Sequence, residues 1–115
     1  MRGKTVFEMS FVGVYSALVQ KAERKGRTRA EVNQVTSWLT GYTPEQIEAS
    51  SASDNTYGAF LAGAPAYNPR SELITGRVCG IQVEAIEDPL MKRVRQLDKL
   101  VDELAKGKPM EKVLR

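Results

Sequence analysis

Apolar residues fall along this chain in three helical stripes, joined by segments of less regular pattern. The clearest stripe lies in Gly26–Tyr42, GRTRAEVNQVTSWLTGY. Val32, Val35 and Leu39 recur at helical spacing with Trp38 beside them, which makes one apolar face. Thr28 stands where an N-cap accepts from an unpaired backbone N–H. Glu31, three residues on, completes a capping box. Gly41 follows the last apolar position, where a left-handed residue ends a helix. Start, stripe and stop agree, and the pattern predicts a helix over Thr28–Thr40. With neighbours expected on both sides of that helix, Trp38 is expected to be mostly buried.

The second stripe predicts a helix over Ser10–Lys25, with Phe11, Val14, Tyr15, Leu18, Val19 and Ala22 on one face. Lys21, Arg24 and Lys25 crowd its last turn, where cations complement the negative helix end. They read as a solvated terminus. The link Gly26-Arg27 is so short that the first two helices must pack as neighbours.

The third stripe is the longest, over Asp88–Lys106. Asp88 caps it, Pro89 takes the first turn and Gly107 ends it. Leu90, Val94, Leu97, Val101 and Leu104 form a two-heptad seam with Met91 and Leu100 on its flank. Two heptads are short for an isolated coiled coil. The seam is therefore expected to be covered by Phe11–Val19 and Val32–Leu39 of the same chain, leaving the Met91/Leu100 flank for a dimer contact. A monomer or a weak homodimer follows.

Shorter elements fill the gaps. Thr43, Pro44 and Gln46 carry a second capping box and open a short helix anchored by Ile47. Ser50–Thr56 is a polar loop by composition. Tyr57, Phe60 and Leu61 suggest a short helix over Asn55–Gly63. Pro65 and Pro69 forbid a helix interior between them. Pro109–Leu114 is a closing turn, and Met1–Met9 is extended or irregular with Val6 and Phe7 tucked onto the body. Leu73–Ile86 reads two ways. Leu73, Ile74, Val78, Ile81 and Ala85 fit a helical face, whereas Cys79, Ile81 and Val83 alternate like a strand. Helix is the favoured reading, because a lone strand lacks a partner. A short strand pair from Thr5–Met9 and Arg77–Val83 is the alternative. The expected fold is all-α, a compact single domain of five to six helices over residues 1–115.

Composition narrows the function classes. With 115 residues the chain can bury a core without staples. One cysteine allows no internal disulfide and fits a reducing compartment. Histidine is absent, which removes a usual metal ligand and the commonest general base. Arg2 and Lys4 before Phe11–Val19 imitate a signal peptide, but Glu8, Ser10, Ser16 and Gln20 interrupt the pattern. No apolar run approaches the ~20 residues of a membrane span. The expected location is the cytoplasm, away from the membrane.

No catalytic constellation or metal-ligand cluster emerges, and no cofactor motif; Gly76 and Gly80 lack the rest of a phosphate loop. Cys79, between Val78 and Ile81, reads as a small buried hydrophobe; as a nucleophile it would need a lowered pKa. Glu84, Glu87 and Asp88 read as capping and solvated carboxylates. The third helix, as a nucleic-acid reader, would present Glu45 and Glu48 and no cation, the wrong sign for phosphates. Specific nucleic-acid binding is not expected. The candidate ligand-binding residues are Trp38, Tyr42, Tyr67, Asn68 and Arg77: aromatics that could line a pocket, with the proline-rich loop and the cation beyond it.

KAERKGRT at Lys21–Thr28, WLTGY at Trp38–Tyr42, ITGRVCG at Ile74–Gly80 and EDPLMKRVRQLDKLVDELAKGKPMEKVLR at Glu87–Arg115 resemble domain-of-unknown-function family 2200, small bacterial proteins. The resemblance spans nearly the whole chain. It implies a bacterial cytoplasmic protein standing alone as one domain, and it carries over no activity or site residues. The expected function is a binding or interaction module without catalysis, for an unknown protein or small-molecule partner. The alternative is a small-ligand protein or histidine-free enzyme with a site near the Tyr67–Arg77 loop.

Overall fold

Most of the longer helices begin where a side chain stands ready to cap them. The computed structural model describes residues 6–78 and 80–115. Helix α1 (Phe11–Glu23) starts at Ser10, whose hydroxyl accepts from Gly13 N–H. Helix α2 (Arg29–Thr40) starts at Thr28 and carries both halves of its capping box with Glu31. Helix α3 (Pro44–Ser51) has the same reciprocal box between Thr43 and Gln46. It runs two residues into the stretch expected to be loop. Helix α4 (Tyr57–Ala62) is capped by Thr56. Helix α5 (Pro89–Ala105) is capped by Asp88, which accepts from Leu90 and Met91 N–H. Helix α6 (Met110–Val113) follows Pro109. Each cap satisfies donors that the first helical turn would otherwise leave open.

Among the described residues the fold is a mostly helical globule of these six helices with one two-stranded hairpin. Helix α5 packs against α1, α2 and α4, against the hairpin, and against α6. Its seam is thus covered from within the chain, as its length predicts. Leu100 is fully buried with it, so the Met91/Leu100 flank is not free for a dimer contact; Met91 alone is half-buried.

The stretch 73–86 is not a helix. A 3-10 turn (Pro69–Leu73) leads into strand β1 (Arg77–Val78), which pairs antiparallel with β2 (Ile81–Gln82), and a second 3-10 turn (Val83–Ala85) follows. Gly76 and Gly80 have φ of 101° and 76°. This left-handed region breaks a helix and suits glycine in a tight reversal. The strand finds its partner across that turn. The pairing proposed with Thr5–Met9 does not form in the described part of that segment, where Val6–Glu8 is a 3-10 turn; Thr5 lies outside the described residues. Leu73, counted on the would-be helical face, is 55% exposed.

One polar network ties the first three helices together. The Tyr15 ring stacks on Phe11, and its hydroxyl donates to Asn33 Oδ1 at 2.6 Å. Asn33 Nδ2 donates to Glu48 Oε2 at 2.8 Å. Arg29 clamps both oxygens of Glu48, at 2.9 and 3.1 Å. Burial pushes the Tyr15 hydroxyl up to about 12, so it donates at neutral pH. The Arg29 fork, with Asn33 adding to it, holds the Glu48 carboxyl below the usual range. Elsewhere, Tyr57 is fully buried and its hydroxyl has no hydrogen-bond partner among the described residues.

Two outcomes follow. Tyr57→Phe removes an unpaired buried hydroxyl and keeps the ring, so stability should hold or rise by up to ~1 kcal/mol in urea denaturation. A loss greater than that would mean the hydroxyl is bonded. Glu48 has a folded pKa below its unfolded one, near ~4.3. Its contribution is present above the unfolded pKa and lost as pH falls through the folded one. Melting temperatures from pH 7 to 3 should therefore fall less steeply in Glu48→Gln than in the wild type. Equal slopes would contradict the clamp.

Candidate functional site

The segment that crosses from α4 to the hairpin is held by the end of α2. Ala66 N–H donates to Thr40 O, and Asn68 N–H to Leu39 O. Asn68 Nδ2 donates to Trp38 O at 3.0 Å. These are last-turn carbonyls that α2 leaves open, so the segment serves as a C-terminal cap. Gly41 makes the close approach feasible. Its φ is 85°, and a Cβ there would sit 2.7 Å from the Ala66 Cβ.

This anchoring lays residues 67–72 along the first two turns of α5 and leaves a cleft of about 200 Å³ between them. One wall is Tyr67, Ser71 and Glu72; the other is Pro89, Lys92, Arg93 and Gln96. The Arg93 guanidinium lies over the Tyr67 ring, 4.1 Å from its centroid, a favourable cation–π geometry. Its Nη1 donates to Leu61 O at 2.6 Å. The Tyr67 hydroxyl donates to Gln96 Oε1, and Gln96 Nε2 donates to Ser71 O at 3.2 Å. Gln96 is only 2% exposed, so both ends of its amide must be paired, and they are. Lys92 Nζ stands 3.9 Å from Glu72 Oε1. Burial pushes the Tyr67 hydroxyl well above its ordinary value, against the pull of Arg93. It is a proton donor at neutral pH and not a base.

Of the five residues singled out from the sequence, only Tyr67 lines this cleft. Asn68 sits behind it as a brace, capping the 3-10 turn through Arg70 N–H and holding α2. Tyr42 stacks on Phe60 with centroids 4.5 Å apart and donates to Phe60 O at 2.8 Å, a structural role. Trp38 packs against the edge of the core and is mostly buried, as expected. Arg77 is exposed on the hairpin and does not line the cleft. The reading of Cys79 as a buried hydrophobe lies outside the described residues.

The residues that sequence reasoning passed over are Lys92, Arg93 and Gln96. With Pro89 they recur at the spacing of one helical face, beside the apolar seam. That polar stripe was the available signal. Elsewhere the carboxylates have structural work. Glu84 closes the hairpin base by accepting from Gly76 N–H and Gln82 Nε2. Among the described residues no group of three His, Cys, Asp or Glu gathers as a metal site, and no helix is long and apolar enough to cross a membrane.

A second, wider groove of about 370 Å³ runs along the outer face of α2, lined by Ala30, Asn33, Gln34, Ser37 and Pro44. It carries no charged wall residue. Its polar floor, Asn33, is already committed to Tyr15 and Glu48.

No curated protein matches the sequence. Among solved structures, a crystal structure of uncharacterized protein SP1917 is similar, at 50% identity and a TM-score of 0.93. The match covers 98% of this chain and 93% of that one. Residues 5–115 match the family described as "Uncharacterized protein conserved in bacteria (DUF2200)", and the chain belongs to that family.

Proposed function

We propose that this protein is a small, non-catalytic binding module whose ligand site is the cleft between residues 67–72 and the start of α5. The observation that carries this reading is the convergence of a cation-stacked tyrosine, a second cation and a fully paired buried glutamine around one concavity. Such a wall is pre-organised, since Tyr67 and Gln96 fix each other and lose little freedom on binding. A volume of about 200 Å³ suits a small metabolite; drug-sized ligands need roughly 300 Å³ or more.

Catalysis fits the site less well. Tyr67 keeps its proton, and the only carboxylate on the wall, Glu72, has a side chain 77% exposed. A protonated phenol and a solvent-facing carboxylate are a poor base pair for acid–base chemistry. Nucleic-acid reading is also disfavoured. Helix α3 presents acids, and Arg29 is spent on Glu48. A lone cysteine fits a reducing compartment such as the bacterial cytoplasm.

The test is a ¹⁵N correlation-spectrum titration with amino acids, sugars, nucleosides, carboxylic acids and phosphate esters. At least one class should shift the amides of residues 67–72 and 92–96 saturably. Shifts confined to Ala30, Asn33, Gln34 and Ser37, or no response at the cleft from any class, would overturn the reading.

A further inference from the structure

We infer that the cleft recognises a small oxyanion, a carboxylate or phosphate group, and that Glu72 is a built-in competitor which the ligand displaces from Lys92. This rests on the ligand-site reading above and names its chemistry. The argument begins with what the wall has left to offer. Apart from the Glu72 carboxylate, its acceptors are engaged internally: Gln96 Oε1 accepts from the Tyr67 hydroxyl, and Ser71 O accepts from Gln96 Nε2. What remains unspent are donors on two cations.

Arg93 is the key member. It is half-buried, and among the described residues it meets no carboxylate. Its guanidinium uses one N–H on Leu61 O and one face on Tyr67. A guanidinium has five N–H donors, so several stay open in a partly desolvated place. Of the other cations on this helix, Arg95 is matched to Asp98, and Lys99 is turned to a backbone carbonyl, Arg77 O. Arg93 is thus a desolvated charge without a counter-charge, the arrangement a charge-assisted bond to an oxyanion would complete.

Lys92 supplies the second charge. Its present partner is loose, since Glu72 lies 3.9 Å away and is largely in solvent. Exposed pairs of this kind are worth about 0–1 kcal/mol, so an incoming anion displaces Glu72 at little cost. The start of α5 adds no free donor, because Asp88 already occupies the Leu90 and Met91 N–H groups. That carboxylate, Glu72 and Glu84, which interacts electrostatically with Lys92, work against an anion; the two cations are freed for it only once Glu72 swings out. The cleft volume corresponds to about seven waters at roughly 30 Å³ each, which limits the ligand to a compact one.

The experiment titrates the whole protein with acetate, inorganic phosphate and acetamide, the last being the neutral isostere of acetate. Residues 67–72 and 92–96 are followed by ¹⁵N spectra. Saturable shifts are expected with acetate, phosphate or both, and none with acetamide. Acetate alone points to a carboxylate ligand, phosphate alone to a phosphate. Glu72→Gln should tighten the anion several-fold by removing the competitor. Lys92→Gln should weaken it several-fold. Arg93→Gln should weaken it about tenfold or more, a loss of about 1.4 kcal/mol; its melting temperature is recorded to separate binding from the Leu61 contact. Acetamide binding as well as acetate, or a neutral metabolite shifting the cleft while neither anion does, overturns the oxyanion inference and leaves the ligand site standing. Anion binding unchanged in Glu72→Gln overturns the competitor. A cleft silent to every compound overturns both.

Discussion

Val94, Leu97, Leu100, Val101 and Leu104 of α5 are all 2% exposed or less. Each such side chain stabilises the fold by about 1.5–3 kcal/mol relative to exposure. No single neighbour covers it, although α1 brings a buried stripe of similar length, from Phe11 to Ala22. The chain answers by wrapping. Helices α1 and α2 take one side, α4 and the hairpin another, and α6 closes the end. The last residue joins in, with Arg115 donating to Glu103 Oε2 at 2.7 Å and to Leu73 O at 3.2 Å. Remove the stripe and the remaining helices, none longer than α1, have little to pack on.

The same helix also defines the cleft. Its seam faces the core, and the neighbouring stripe Pro89, Lys92, Arg93 and Gln96 faces the segment 67–72. Gln96 sits where these stripes meet. It is too buried to face water and too polar to be left unpaired, so Tyr67 and Ser71 must come to it. Arg93 then seals α4 by donating to its last-turn carbonyl at Leu61. The polar wall is therefore a consequence of how the core is closed. Whatever it binds meets side chains that folding has already positioned.

Local signals were legible in the sequence. Thr28 with Glu31, Thr43 with Gln46, and Asp88 with Pro89 act within one turn, so their spacing alone states the outcome. Residues 73–86 were not legible. Their apolar spacing imitates a helix, and only the positive φ of Gly76 and Gly80 decides for a hairpin. The site was half legible. Tyr67 stood out as an aromatic in a proline-rich loop. Lys92 and Arg93 did not stand out, because what makes them a wall is contact with residues some twenty positions earlier. Arg77 and Trp38 were drawn in by type, and the fold takes them elsewhere.

If closing the core is what builds the cleft, segment 67–72 must be as secure as α5. Native-state hydrogen exchange measures this at the amides of Ala66 and Asn68, which anchor the segment to Thr40 O and Leu39 O. The account predicts that both open only with the whole domain, with the same denaturant dependence as Leu97 and Val101. Exchange of Ala66 and Asn68 through local, denaturant-independent opening, while α5 stays protected, would contradict it.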